Sequence, residues 1–200
     1  MNSRRREDCG QVLPLFIWIT GAVLFAAFAF FAFAQAAVAR GGAQAAADSA
    51  ALAAAQEGRS DLIEGLMDSF QEGDGWVDWL SGVGAHGMSA QDAAAALAAQ
   101  NDASVLGSEE VTIRGLDGYS VSVETRYTVG DSVIPGTESM RARAEAIAVI
   151  EPRCEEQDGV DPSEVVSFVC DGESFELDPE DFEKGDVPEP SVLFSVYLVE

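Results

Sequence analysis

The sequence predicts an α+β protein: one N-terminal transmembrane helix running on into an alanine-rich helix, then an exported antiparallel β-sheet domain with one disulfide. Three observations predict it. Residues 12–34 hold no charge and stand directly behind Arg4-Arg5-Arg6. Residues 35–56 are mostly alanine and contain no proline. Beyond Glu110 the apolar period shifts from helical to two.

The uncharged run of residues 12–34 would make a helix of roughly 35 Å at about 1.5 Å per residue, enough to cross a hydrocarbon core of about 30 Å. Arginines beside a span stay in the cytoplasm, so Arg4, Arg5 and Arg6 place the N-terminus inside. The expected organisation is a cytoplasmic basic tail over 1–11, a span over 12–39, a helical stalk with loops over 40–106 and an acidic β-rich domain over 107–200. A cleaved signal is the competing reading, since Ala32-Phe33-Ala34 and Ala37-Val38-Ala39 fit cleavage sites. A signal core of about 7–15 residues is shorter than this run, which favours an anchor. Both readings export residues 40–200.

After the span, alanine favours continued helix, with Gly41-Gly42 as the weak point where a bend is expected. Arg40, Gln44 and Asp48 fall four apart on one face, and the alanine faces are small enough for a neighbouring helix to approach closely. Ala22 and Ala26 form a small-xxx-small pair inside the span. Leu62, Ile63, Leu66, Met67 and Phe70 recur at helical spacing over 60–70, before Glu72-Gly73-Asp74-Gly75 ends the pattern. Trp76 and Trp79 are expected to pack on the sheet. Ser89-x-x-Asp92 reads as a capping box for a helix over 90–100.

Val111, Ile113, Tyr119, Val121 and Val123 alternate with polar neighbours, with Leu116-Asp117-Gly118 as the turn signal of a hairpin. Its second strand is expected to continue through Thr125, Tyr127 and Val129, and a third to run over 140–150. Further strands are expected over 165–169 and 192–199, with an irregular acidic stretch over 178–190. Cys154 and Cys170, the two cysteines of the exported part, would close a loop of about 17 residues, worth about 3 kcal/mol in the chain-entropy picture. Cys9 faces the reducing side.

The net charge of -24 is lopsided: after residue 11 there are eight basic against 33 acidic residues. So negative a surface disfavours nucleic acid and favours solubility, cations and basic partners. No catalytic constellation, cofactor fingerprint or metal-ligand spacing is found, so an enzyme is not expected. His86 is the single histidine, in a glycine-rich loop. Asp158-x-x-Asp161 and Asp178-x-x-Asp181 lack the ligand spacing of an EF-hand.

Gly10-Gln11-Val12-Leu13-Pro14, the span, and Gln44, Ala46, Ala47, Asp48, Ala50, Ala51 and Leu52 together resemble the TadE/TadG-like family of Flp pilus-assembly proteins, over roughly residues 4–56. The alternating alanines of 140–150 are similar to the later part of TadG-type members. The resemblance implies a bacterial bitopic membrane protein serving a tight-adherence pilus or related secretion machine, with homo- or hetero-oligomers formed through the alanine-rich helix. Leu15 stands where processed pilin-like members carry a glutamate, which favours an intact anchor over a polymerised subunit. The alternative is a tethered extracytoplasmic binding module whose acidic loops recognise a cation or basic partner.

Overall fold

Helix α1 (Val12–Glu72) is one element of 61 residues, about 90 Å long. The computed structural model describes residues 12–72, 75–83, 88–129, 139–157, 165–178 and 186–199. Arg4–Arg6, Cys9, His86, Asp158, Asp161 and Asp181 lie outside the described residues. The helix runs uninterrupted through Gly41-Gly42, the weak point of the sequence, because alanines on both sides carry the helical hydrogen bonding across. The apolar stripe of 60–70 continues the helix as its spacing predicts, and Leu62, Leu66 and Phe70 are fully buried on α1.

The two ends of α1 have opposite surroundings. Every residue over 12–28 is exposed, Trp18 and Phe25 among them, and the most apolar window of the helix has none of its residues buried. A core helix of a water-soluble fold would bury such a stretch. From Ala43 onward the helix turns inward: Ala43, Ala46, Ala47, Ala50, Ala51, Ala54 and Ala55 have no exposed surface.

Helix α2 (Trp76–Leu80) and helix α3 (Met88–Gln100) pack back on α1. Ser89 lies inside α3, and its hydroxyl donates to Asp61 Oδ2 at 3.2 Å, so it links two helices rather than capping one. Trp76 is buried, as expected, but its ring partner is Phe70 of α1, 6.0 Å away, and Trp79 lies over Gly65. The tryptophans cover the far end of the helix rather than the larger sheet.

Strand β1 (Ala103–Ile113) pairs antiparallel with β2 (Leu116–Thr125), joined by Arg114 and Gly115 at φ 55° and 86°. Two central residues at positive φ make a type I′ turn, whose twist suits a hairpin. The turn therefore precedes the expected Leu116-Asp117-Gly118. Gly118 sits within β2, where a Cβ would meet the Ala148 carbonyl oxygen at 2.2 Å. Strand β3 (Arg143–Pro152) and β7 (Phe194–Val199) complete a four-stranded sheet ordered β1-β2-β3-β7.

Past Thr125 the chain leaves the strand: the buried Thr125 hydroxyl donates to the Tyr127 carbonyl at 2.8 Å and accepts from the Ala142 amide at 3.1 Å, holding a bend. A second sheet holds β4 (Cys154–Glu156), β5 (Val166–Cys170) and β6 (Glu173–Leu177). Cys154 and Cys170 stand opposite one another across β4 and β5 and form the disulfide, with Cα atoms 4.1 Å apart. Phe168 of β5 stacks between Phe70 and Phe175, ring centroids 6.3 and 5.6 Å away, fixing this sheet to the end of α1. Helix α4 (Pro190–Leu193) takes the first two residues of the strand expected over 192–199, which begins at Phe194 instead.

The core is α1 laid on β2 and β3 with α3 alongside. Tyr119, Val121 and Val123 pair across strands with Ala148, Ala146 and Ala144, a face of large residues beside small ones. Tyr119 fills the space left at Gly58, where a Cβ would meet its ring at 2.8 Å. At Gly65 a Cβ would meet the Trp79 ring at 2.4 Å. Gly41 has open space around it.

Alanine at an exposed helical glycine gains up to about 1 kcal/mol, whereas an overpacked core loses about 1–3 kcal/mol. Gly41→Ala is therefore expected to stabilise, and Gly58→Ala and Gly65→Ala to destabilise, as read by urea midpoints. Burial first, then the charges of Glu110, Asp61 and Asp117, push the Tyr119 phenol up to about 12. Below pH 10 the phenol is neutral folded or unfolded. Between pH 10 and 12 the unfolded chain loses that proton first, so stability falls as pH rises. Tyr119→Phe is expected to flatten this part of the decline in urea titrations.

Candidate functional site

The residues singled out on α1 divide by chemistry. Ala46, Ala47, Ala50 and Ala51 are wholly buried and Leu52 packs partly against the same core. Their neighbours belong to this chain: Ala90, Ala94 and Ala98 of α3, together with the inward face of β2 and β3, share that core. Small side chains meet small side chains, so a helix does approach closely, and here it is α3.

The polar members lie at the edge. Gln44 Nε2 donates to Asp48 Oδ1 at 2.8 Å, one helical turn on, and reaches the Glu145 carbonyl of β3 at 3.5 Å. Ser49 Oγ donates to the Ala46 carbonyl at 3.1 Å and accepts from Asn101 Nδ2 at 3.0 Å, tying α1 to the end of α3. Arg40 is exposed one turn before Gln44. Ala22 and Ala26 are exposed within the apolar end of the helix.

Where α1 leaves that apolar end, it meets the domain. Ala39 and Ala43 are buried against Ala142, with Val129 and Ala144 beside them. The Thr125 bend carries Val129 there, and the Val129 amide donates to the Met140 carbonyl at 2.9 Å. Next to this contact is a groove of about 360 Å³ whose lining includes Phe33, Ala36, Arg40, Met140, Arg141 and Arg143. Arg141 and Arg143 share Glu124, at 3.8 and 2.8 Å. Sequence reading missed this gathering, although Arg141 and Arg143 were visible as the polar partners of alternating alanines. The bend at Thr125 that brings them to Arg40 is a tertiary feature.

Acidic side chains collect elsewhere, with Asp61, Glu64 and Asp68 lining a shallow groove beside Trp79. Among the described residues no cluster of three His, Cys, Asp or Glu is arranged to hold a metal ion.

An unpacked apolar helix that continues into the core of an α+β domain defines a class: a membrane-anchored protein whose anchor is also its central structural helix. Residues 10–57 match the Flp pilus-assembly TadE/G-like family, bearing out the resemblance read from the span and the Gln44–Leu52 segment. The match covers about a quarter of the chain, its N-terminal part, and with the span it supports a membrane-anchored pilus-assembly protein. No curated protein and no solved structure shows a significant match.

The two chemistries of the segment separate by substitution. Ala50→Leu overfills a closed contact and is expected to lower stability by about 1–3 kcal/mol. Gln44→Ala removes an exposed i,i+4 pair worth about 0.2–0.5 kcal/mol. Urea denaturation of the two variants checks the difference.

Proposed function

We propose that the protein is a bitopic structural component of a Flp-type pilus or a related secretion apparatus. Its N-terminus lies in the cytoplasm and residues 40–200 are extracytoplasmic. It acts through helix packing within the membrane and through protein–protein contacts of the domain. The observation that carries this reading is the family match of residues 10–57 over a helix whose apolar end has nothing packed on it among the described residues. A scaffold role also suits a fold that devotes its longest element to anchoring and core packing at once.

Contact with partners is assigned to the surfaces that the fold leaves open. The alanines over 43–55 are largely consumed within the domain, so the span offers the helix-packing face, with Ala22 and Ala26 permitting close approach. Association through this face can join copies of the chain or different subunits. The disulfide keeps the distal sheet closed in an oxidising compartment.

Photo-crosslinkers placed at Ala22 and Ala26 of the full chain in cells are expected to capture pilus or secretion-system membrane proteins, identified by mass. Adducts to lipid alone would remove the assembly role. In the same cells, protease added outside is expected to digest the domain, and mass spectrometry of the membrane form to retain residues 12–39. An active cytosolic reporter fused after Glu200 would overturn the topology.

A further inference from the structure

We propose that the groove beside the root of the span is a binding site for the headgroup of an anionic phospholipid. This rests on the membrane-anchored reading alone and not on a role in pilus assembly.

Depth along the helix places the groove. A hydrocarbon core of about 30 Å takes up about 20 helical residues, and headgroup layers bring the bilayer to about 40–45 Å. A span entering near Val12 therefore leaves the hydrocarbon near Ala32, and the next turn or two cross the headgroup layer. Ala32, Phe33, Gln35, Ala36 and Arg40 of α1 form one wall of the groove in that interval. Met140, Arg141, Ala142 and Arg143 form the facing wall.

Charge chooses the occupant. Only eight basic residues follow residue 11, against 33 acidic ones, yet three of the eight meet here. Glu124 is shared by Arg141 and Arg143, so with Arg40 the rim keeps two positive charges in excess among the described residues. The side chains of Arg141 and Arg143 remain 48% and 70% exposed, open to a ligand. Guanidinium groups bind phosphate oxygens through paired N–H donors.

Free phosphate would leave the other half of the lining unused. Phe33, Ala36, Val129 and Met140 present an apolar surface continuous with the span, matching the glycerol and upper acyl chain of a lipid. A lipid held here restrains rotation of an otherwise repelled acidic domain about the axis of its own anchor. Close to an anionic surface each basic residue contributes about 1 kcal/mol, so two net charges favour an anionic over a zwitterionic lipid by about thirtyfold.

The test uses the full chain reconstituted in vesicles of phosphatidylcholine, with and without phosphatidylglycerol, followed by native mass spectrometry of retained lipid. The expected result is retention of phosphatidylglycerol about thirtyfold above phosphatidylcholine. That preference should vanish in the Arg40→Gln, Arg141→Gln, Arg143→Gln triple variant and persist in Arg114→Gln, at the hairpin tip. Arg40→Gln alone leaves the Glu124 pairs in place and should lose part of it, which covers any misfolding of the triple variant. Equal retention of both lipids, or a preference abolished by added inorganic phosphate, overturns the lipid site while leaving the anchor. Failure to float with either vesicle overturns site and anchor together.

Discussion

The close seating of α1 on its own sheet is the contact on which the other elements depend. Alanine methyls on the helix meet the alanines of β3, and neither side holds the other away. Each buried methyl contributes only about 0.8 kcal/mol through removal from water. Their larger effect is geometric, because a short separation brings backbone atoms into dispersion contact and leaves slots for a few large rings. Tyr119 over Gly58 and Trp79 over Gly65 occupy such slots. Phe70, at the end of the same face, then gives Trp76 and Phe168 a common partner, which settles where α2 and the second sheet stand.

Some of this was legible in the sequence and some was not, for physical reasons. The apolar run, the alanine helix and the order of helix before sheet are local or compositional signals, and they survive folding unchanged. The cysteine pair was legible because the part expected outside the membrane holds no third partner. The turn after β1 was misplaced because Asp117-Gly118 is the more familiar turn dipeptide, while Arg114-Gly115 takes the positive φ angles. Gly118 serves instead to let β2 and β3 lie close, a demand that comes from the neighbouring strand. Strands β4 and β6 are three and five residues long and carry little periodicity of their own.

The candidate site shows the same division. Gln44 and Asp48 were placed on one face by spacing alone, and their hydrogen bond follows from that spacing. The destination of the alanines was beyond reach, because a small helical face is equally suited to a foreign helix and to a sheet encoded a hundred residues later. Arg40 and Arg141 are separated by a comparable length of chain, and a single buried threonine hydroxyl helps bring them to one groove. Net charge hid this local reversal of sign, since eight scattered basic residues carry no pattern until the chain folds.

Because α1 is unbroken from Val12 to Glu72, membrane and distal sheet share one lever. From Ala34 to Phe70 that arm measures about 50 Å at the usual helical rise. Spans lean by about 20° on average, and a lean of that size swings the tip sideways by close to 20 Å. A change of lean, whether from a thinner bilayer or from a neighbouring helix, is thus converted into displacement of the disulfide-bearing sheet. A neighbour gripping the far end would in turn steer the angle at which the anchor sits in lipid.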